Sequence, residues 1–542
     1  MKRLLIIVSA CFVFSCGNRD MADAVYYNGH VYTVDSGFTL CQAFAVKDGK
    51  ILMTGSNEEV NSIRSRTKAD LKGKFVYPGL YDAHCHFYGY GVDLKKIGLF
   101  GTGSFAEVMD TVSHYRDKRF MGWIFGRGWD QNDWEIKEYP DRRMIDSLFP
   151  DVPVFLLRID GHAALVNQVA LDMAGITPET KIAGGEVEVK NGRLTGILVD
   201  NAVDSVKKLI PLPGREAETE ALLKAQENCF AVGLTTIADA GLEMENILLI
   251  DSLQKAGLLQ MGYYAMITWN AKNKEYFFEK GPSNTGKLHV CSFKLYGDGA
   301  LGSRGACLKD GYADRQGHHG FLLHEIDSFR QAAAEIAGHG FQMNTHCIGD
   351  SASGMLLEIY GKALKGNMDA RWRIEHAQVM DPADFHLFKK YGIIPSVQPT
   401  HATSDMYWAG ARLGELRVRS AYAYRQLKDV AGMIAAGSDF PVEDINPLYG
   451  FYASVVRKDR NDFPPGKFQP ENALSRQDAL RAMTIWAAYA CFEEDQKGSI
   501  EKGKQADFVI FDEDLMSAPE EKLWQLRVQK TFISGKQVFE LK

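Results

Sequence analysis

Apolar and polar positions follow two different rhythms along this chain, and the change of rhythm divides it. From Val25 to about Phe75 the apolar residues come in short β-type runs separated by turn residues. Ala43-Phe-Ala-Val-Lys and Lys50-Ile-Leu-Met flank Asp48-Gly49, a pair suited to the positive φ angles of a tight hairpin. The far C-terminus has the same texture: Ala506-Asp-Phe-Val-Ile-Phe, then Lys530-Thr-Phe-Ile, Ser534-Gly535 and Lys536-Gln-Val-Phe-Glu. Either set of strands alone would leave an apolar face in water. The two ends are therefore expected to pack together as a small β-sandwich, spanning 22–76 and 498–542.

Between them, buried-type apolar runs alternate with amphipathic helical stretches, the pattern of an α/β fold with a parallel sheet. Eight runs read as its strands: Phe75–His86, Leu234–Ala240, Gln260–Met266, Val290–Asp298, Phe341–His346, Trp372–His376, Ile393–Gln398 and Gly432–Asp439. Eight parallel strands of this kind predict a (β/α)8 TIM-type barrel over 77–497. A large insertion follows the first strand, at about 100–230. It holds Trp123-Ile-Phe-Gly-Arg-Gly-Trp and Val152–Asp160, so it is expected to have strands of its own. Ser475 and Asp478 form a capping-box-like start to a helix through Ala490 that would close the barrel.

Composition changes this picture little. Hydrophobic residues make up 46% of the 542 and charged residues 24%, a balance that supports a sizeable core. A net charge of −7, with no Lys/Arg-rich block, argues against a nucleic-acid partner. The first residues stand apart. Lys2 and Arg3 precede an apolar run from Leu4 to Phe14, which is shorter than the roughly twenty residues of a membrane span but suits a secretory signal. Ser15-Cys16 at its end resembles a bacterial lipobox, which implies cleavage before Cys16 and lipid on its thiol. The expectation is a lipoprotein of the bacterial cell envelope, facing the periplasm or the surface; the alternative is a plain secreted protein or an uncleaved anchor. The cysteines beyond the signal are scattered singly, without zinc-thiolate spacing, and read as small buried residues.

The chemistry gathers at strand ends. Asp82-Ala-His84-Cys-His86 closes the first strand, where residues two apart share a face, so both imidazoles can reach one metal while Cys85 points away. His346, His376 and Asp439 close three further strands. In a barrel these ends converge on the catalytic face, whereas His114, His318, His319, His339 and His386 fall in helices and loops. Lys294 lies inside the fourth strand, where an unpaired ammonium is costly. It is resolved either as a carbamate that bridges two metals or by pairing with Asp298 or substrate.

Taken in order, Pro78-Gly-Leu-Tyr-Asp-Ala-His-Cys-His, Lys294, His346, His376 and Gly437-Ser-Asp439 are similar to the motifs of the amidohydrolase superfamily. Phe293-Lys-Leu-Tyr-Gly-Asp-Gly-Ala-Leu-Gly-Ser-Arg-Gly-Ala and Gly498-Ser-Ile-Glu-Lys-Gly-Lys-Gln-Ala-Asp-Phe-Val resemble its family 3 branch, which includes deformylases of N-substituted formamides. The resemblance implies that His84, His86 and Asp439 hold one metal and His346 and His376 another, with a carboxylated Lys294 between them and two zinc ions per chain. It implies hydrolysis of a non-peptide C–N bond in an amide, formamide or cyclic amide, by attack of a metal-bound hydroxide. Asp439 would shuttle the proton to the leaving nitrogen.

Arg304, His162, His401, Asp298, Gln398 and Trp129 are further candidates to face a small-molecule substrate. The aromatic residues of the insertion, Trp123, Phe125, Trp129 and Trp134, predict a roof over the pocket and a taste for apolar substituents. A homodimer is the expected assembly, and the only expected membrane contact is the lipid. Competing readings are hydrolysis of an ester, carbamate or dipeptide-like bond, or a surface lipoprotein that binds a ligand without catalysis.

Overall fold

The structure, a computed structural model, describes residues 21–542; the signal segment and Cys16 lie outside the described residues. Among the described residues, no helix is long and apolar enough to cross a membrane.

The barrel strands are β1 (Leu80–Cys85), β2 (Leu234–Leu242), β3 (Gly262–Thr268), β4 (Leu288–Tyr296), β5 (Gln342–Cys347), β6 (Arg373–His376), β7 (Ile394–Val397) and β8 (Ala435–Ala436). They pair in sequence order, every neighbour parallel. The strand expected over Gly432–Asp439 is therefore much shorter, and the chain after it completes the wall. Asp439 N–H donates to His84 C=O at 2.8 Å, and His86 N–H donates to Phe440 C=O at 2.8 Å. The barrel is thus closed at its first and last strands by the backbone of the residues that carry its chemistry.

Two layers of apolar side chains explain the strand sequences. One large cluster lies between strands and outer helices and takes in Cys85, Ile237, Phe293 and Ile374. A second fills the barrel with Tyr81, Ala83, Ala238, Ala240, Tyr264 and Met266, plugged from below by Ala487, Ala488 and Ala490. Those alanines belong to the helix Ile485–Ala490, which follows Arg476–Ala482; the Ser475 side chain caps the latter by accepting from Asp478 N–H. A single helix was the expectation, and the chain breaks between them at Met483 and Thr484.

The run expected as one strand over Phe75–His86 is also two strands. Phe75–Pro78 pairs antiparallel with Phe508–Phe511 in a six-stranded mixed sheet, and Gly79 lets the chain pass Thr235 before β1 begins. A four-stranded mixed sheet from residues 22–70 completes this end of the molecule. Tyr26, Phe44, Val76, Phe508, Ile510 and Phe532 share one core, so both chain ends bury their apolar faces on each other. Asp48 and Gly49 take φ of 51° and 73°, as the hairpin requires.

The insertion builds its own six-stranded sheet, with Ile124–Trp129, Val154–Arg158 and Ala163–Val166 at its centre. Its two faces carry separate cores: Trp129 and Trp134 lie in one, Trp123 and Phe125 in the other. The aromatic residues expected to roof the pocket are spent inside this sheet.

Candidate metal centre

The ends of β1, β4, β5 and β6, with the segment after β8, bring His84, His86, Lys294, His346, His376 and Asp439 into one cluster. His86 Nε2 and His84 Nε2 stand 3.2 and 3.5 Å from Asp439 Oδ1. Lys294 Nζ is 3.3 Å from His84 Nε2. The ring of His376 lies 5.0 Å from that of His84 and 4.5 Å from that of His346, centre to centre. Donor atoms of His84, His376 and Asp439 all fall within 4.8 Å of one another.

The donor set fits a divalent metal that favours nitrogen and oxygen, zinc among them. Burial lowers the His84 imidazole to about 4, helped by the Lys294 charge, and burial holds His346 and His376 well below the ordinary histidine range. All three are neutral at pH 7, the form that coordinates. His376 Nδ1 is buried with no hydrogen-bond partner, an orphan that a metal would satisfy. Burial also lowers Lys294 to about 8, so its free amine is accessible near neutrality.

The surroundings hold these groups in place. His84 Nδ1 is hydrogen-bonded to Glu375 Oε2, which directs Nε2 into the cluster. Glu375 is anchored by Arg373, whose Nε is 2.7 Å from Oε1 and whose Nη2 donates to Oε2 at 2.9 Å. Although burial pushes the Glu375 carboxyl up, Arg373 and His84 hold it down at about 2, so it stays an anion. His86 Nδ1 is 2.9 Å from Ala240 C=O, which fixes its other nitrogen towards Asp439. Asp82 accepts from His84 N–H at 3.0 Å and from Ser438 Oγ at 2.6 Å, tying the first ligand strand to the last. Gly437 is needed because a Cβ there would fall on the His84 backbone. His376 and Asp439 have φ of 72° and 64°, a left-handed geometry that costs non-glycine residues about 1–3 kcal/mol each and is tolerated where the surroundings over-determine it.

The secondary candidates separate. His401 Nε2 is 3.8 Å from Asp439 Oδ2, and its ring stacks over His376 at 5.9 Å. Gln398 is buried with both amide atoms unpartnered. His162 comes from the insertion to lie with its ring 4.9 Å from that of His346, and its Nδ1 is 2.6 Å from Asp200 Oδ1. Asp298 is fully buried, accepts from the backbone N–H of Cys307, Ile348 and Gly349, and has its Oδ1 3.9 Å from His346 Nε2, so it organises the loops beside that ligand.

Two further candidates make local contacts of their own. Trp129 is 1% exposed and donates through Nε1 to Leu156 C=O at 2.8 Å; it packs the insertion core. Arg304 forks onto Asp314 at 2.9 and 3.2 Å, and lines a polar cavity with Tyr139, Glu186 and Arg315. Conversely, Glu375 and Asp82 escaped the sequence reading. A signal was present for Glu375: opposite charges two residues apart, Arg373 and Glu375, within a short buried strand.

Comparisons with known proteins agree with this geometry. Residues 69–539 match the profile of the Amidohydro_3 amidohydrolase family. The chain is 31% identical to Protein LONG AFTER FAR-RED 3 of Arabidopsis thaliana, covering 96% of this chain and 92% of that one. It is 25% identical to an N-substituted formamide deformylase of Arthrobacter pascens, over 95% of this chain and 98% of that one. Among solved structures, an uncharacterised metal-dependent hydrolase from Pyrococcus horikoshii OT3 aligns with a TM-score of 0.74 at 26% identity, covering 92% of this chain and 99% of that one.

Proposed function

The chain belongs to amidohydrolase family 3, and from that membership we propose that it hydrolyses a non-peptide C–N bond, in an N-substituted formamide, amide or cyclic amide, at a zinc centre. The observation that carries the reading is the convergence of the His84, His376 and Asp439 donor atoms within 4.8 Å at the catalytic end of the barrel. His84, His86, His346, His376 and Asp439 would hold two zinc ions. Lys294 would join them after its free amine adds to carbon dioxide, losing one proton and becoming an anionic carbamate. When bound, the metal lowers the pKa of water and polarises the substrate carbonyl.

The chain's own groups do the rest. Asp439, anionic and buried beside the histidines, takes a proton from the attacking water and hands it to the departing nitrogen. His401, at 3.8 Å from Asp439 Oδ2, and His162, beside His346, present imidazoles to the substrate from the two sides of the mouth. Glu375 keeps the His84 ring in its ligand orientation. Support for the C–N preference comes from the formamide deformylase among the relatives. Esters and carbamates offer the same carbonyl and are the second class to assay.

The test is a panel of N-alkyl formamides, amides, lactams and esters, run on protein purified without chelator and again after chelation, with metal measured per chain. Turnover of amides that falls with metal removal and returns with zinc is expected. Ester hydrolysis alone would replace the substrate class, and turnover indifferent to chelator would remove the metal. For location, the reading extends to an envelope lipoprotein tethered through Cys16. Membrane-bound protein that a Cys16→Ala change releases is the expected result.

A further inference from the structure

The insertion brings one further side chain to the barrel mouth, and the machinery described above gives it no part. Asp200 ends the insertion strand Arg193–Asp200, and its side chain is fully buried. It stands at the start of the helix Asn201–Lys207, where an aspartate ordinarily caps the first turn, yet it makes no side-chain cap hydrogen bond. The carboxylate turns to His162 instead. Its Oδ1 lies 2.6 Å from His162 Nδ1, and the Asp200 N–H donates to His162 C=O at 2.7 Å. One residue thus grips His162 by both ring and backbone. Asp200 Oδ2 is buried with no hydrogen-bond partner, and among the described residues no lysine or arginine pairs with the carboxylate. The backbone takes φ 51° and ψ −124°, a conformation that residues other than glycine rarely adopt. Burial, strain and an unsatisfied oxygen together make a poor fastening for a strand end.

The barrel makes room for this group. Gly299 and Gly305, in the loop after β4, are not at positive φ, so the backbone does not call for glycine there. Space does: a Cβ on Gly299 would fall 2.3 Å from Asp200 Oδ2, and one on Gly305 would fall 2.2 Å from it. The same loop reaches the metal centre, with Gly299 C=O 3.5 Å from His346 Nε2. Two distant parts of the chain are therefore shaped around one carboxylate. What that carboxylate holds is the ring 4.9 Å from that of His346. A carboxylate can only accept, so Nδ1 of His162 carries the proton and Nε2 is left as the ring's free nitrogen.

We infer that Asp200 is a positioning residue for the hydrolysis: it fixes the His162 imidazole beside His346 with Nε2 free for the substrate, and it acts through His162 alone. The inference rests on the hydrolase reading above and adds to it a residue pair that the insertion, not the barrel, contributes.

The test is a double-variant cycle, run on the metal-loaded enzyme with whichever substrate of the panel it turns over. Asp200→Ala is expected to lower kcat about 10–100-fold, as misplacing a reacting group does, with KM within about threefold. In a His162→Ala background the same change should move kcat by less than about twofold, because its route is already gone. An aspartate that merely held the fold would cost the same with and without His162. That result, or an unchanged kcat in Asp200→Ala, overturns the inference. Thermal unfolding and metal content accompany each variant. Should Asp200→Ala not fold, Gly305→Ala, which sets a methyl against the carboxylate from the barrel side, takes its place under the same criteria. If the panel yields no substrate, the hydrolase reading fails and crystal structures decide. The His162 ring is expected to leave its place beside His346 in the variant, and a ring that stays at 4.9 Å overturns the inference.

Discussion

Beneath the metal centre and above it lie two groups of buried charge built on opposite principles. Below, Arg373 reaches Glu375, the Ala83 carbonyl at 2.6 Å and Ser396 Oγ at 2.9 Å, and Glu375 in turn holds His84. Above, Asp405 and Glu443 accept hydrogen bonds only from neutral partners, and His401 Nε2 lies 3.8 Å from Asp439 Oδ2 without a hydrogen bond. The lower group is dry and closed, so its charges cancel locally and its geometry is fixed. The upper carboxylates are only partly buried, so neutral hydrogen bonds and solvent suffice for them. A charge sealed from solvent has to be paired inside the fold, whereas one that water reaches does not.

Asp439 stands at the boundary, contacting His84 and His86 on one side and His401 on the other. Its replacement should produce the largest effect. In Asp439→Asn, kcat is expected to fall about 100- to 10,000-fold, as for loss of a general acid–base group. A variant that kept its metal and near-full turnover would place proton transfer elsewhere and break the division drawn here. Next comes the floor. Glu375→Ala leaves the Arg373 guanidinium buried without its counter-charge, which should cost about 3–5 kcal/mol in denaturant unfolding. Glu375→Gln keeps the shape but not the charge, and metal affinity by chelator competition should drop about 10- to 100-fold. If Glu375→Ala unfolds like the wild type, the floor is not the closed network its distances describe.

A smaller effect tests the seam. Ser438 Oγ donates to Asp82 at 2.6 Å, and Asp82 also accepts the His84 N–H. Ser438→Ala should cost about 1 kcal/mol of stability, because Asp82 keeps its backbone donors. A loss several times larger would show that the hydroxyl, and not the backbone zipper between β1 and the last segment, closes the barrel.

The lower group and the ligands were legible in the sequence to different degrees. His84, His86, His346, His376 and Asp439 could be placed because a strand end is a local property, set by an apolar run and the period of two. Lys294 stood out because a charge inside such a run is rare. Glu375 could be seen as charged, but its partner His84 lies 291 residues away, and nothing local names it. The run at 75–86 hid its break because Pro78 and β1 are apolar alike; what separates them is which sheet each joins, and Pro78 pairs with Phe508. β8 shrank to two residues because its outer part trades strand pairing for the turn that aims Asp439.

Trp129 gives the smallest effect and the sharpest check on the insertion. An aromatic residue beside Asp130 looks alike in a core and in a pocket when only composition is available. The structure assigns it by contact: the indole packs against Trp134 at 6.0 Å, centre to centre, and its N–H is spent on the Leu156 carbonyl. Leu156 already pairs within the sheet, with Gly126 on one side and Leu165 on the other. In Trp129→Phe the carbonyl therefore keeps its place in the ladder, and what is lost is one hydrogen bond and some packing. Thermal unfolding should register a cost of about 1–3 kcal/mol, while kcat/KM stays within twofold for both an N-alkyl formamide and a larger amide. A clear change in either rate would move Trp129 back to the mouth, and the insertion would then help to choose the substrate as well as carry His162 to His346.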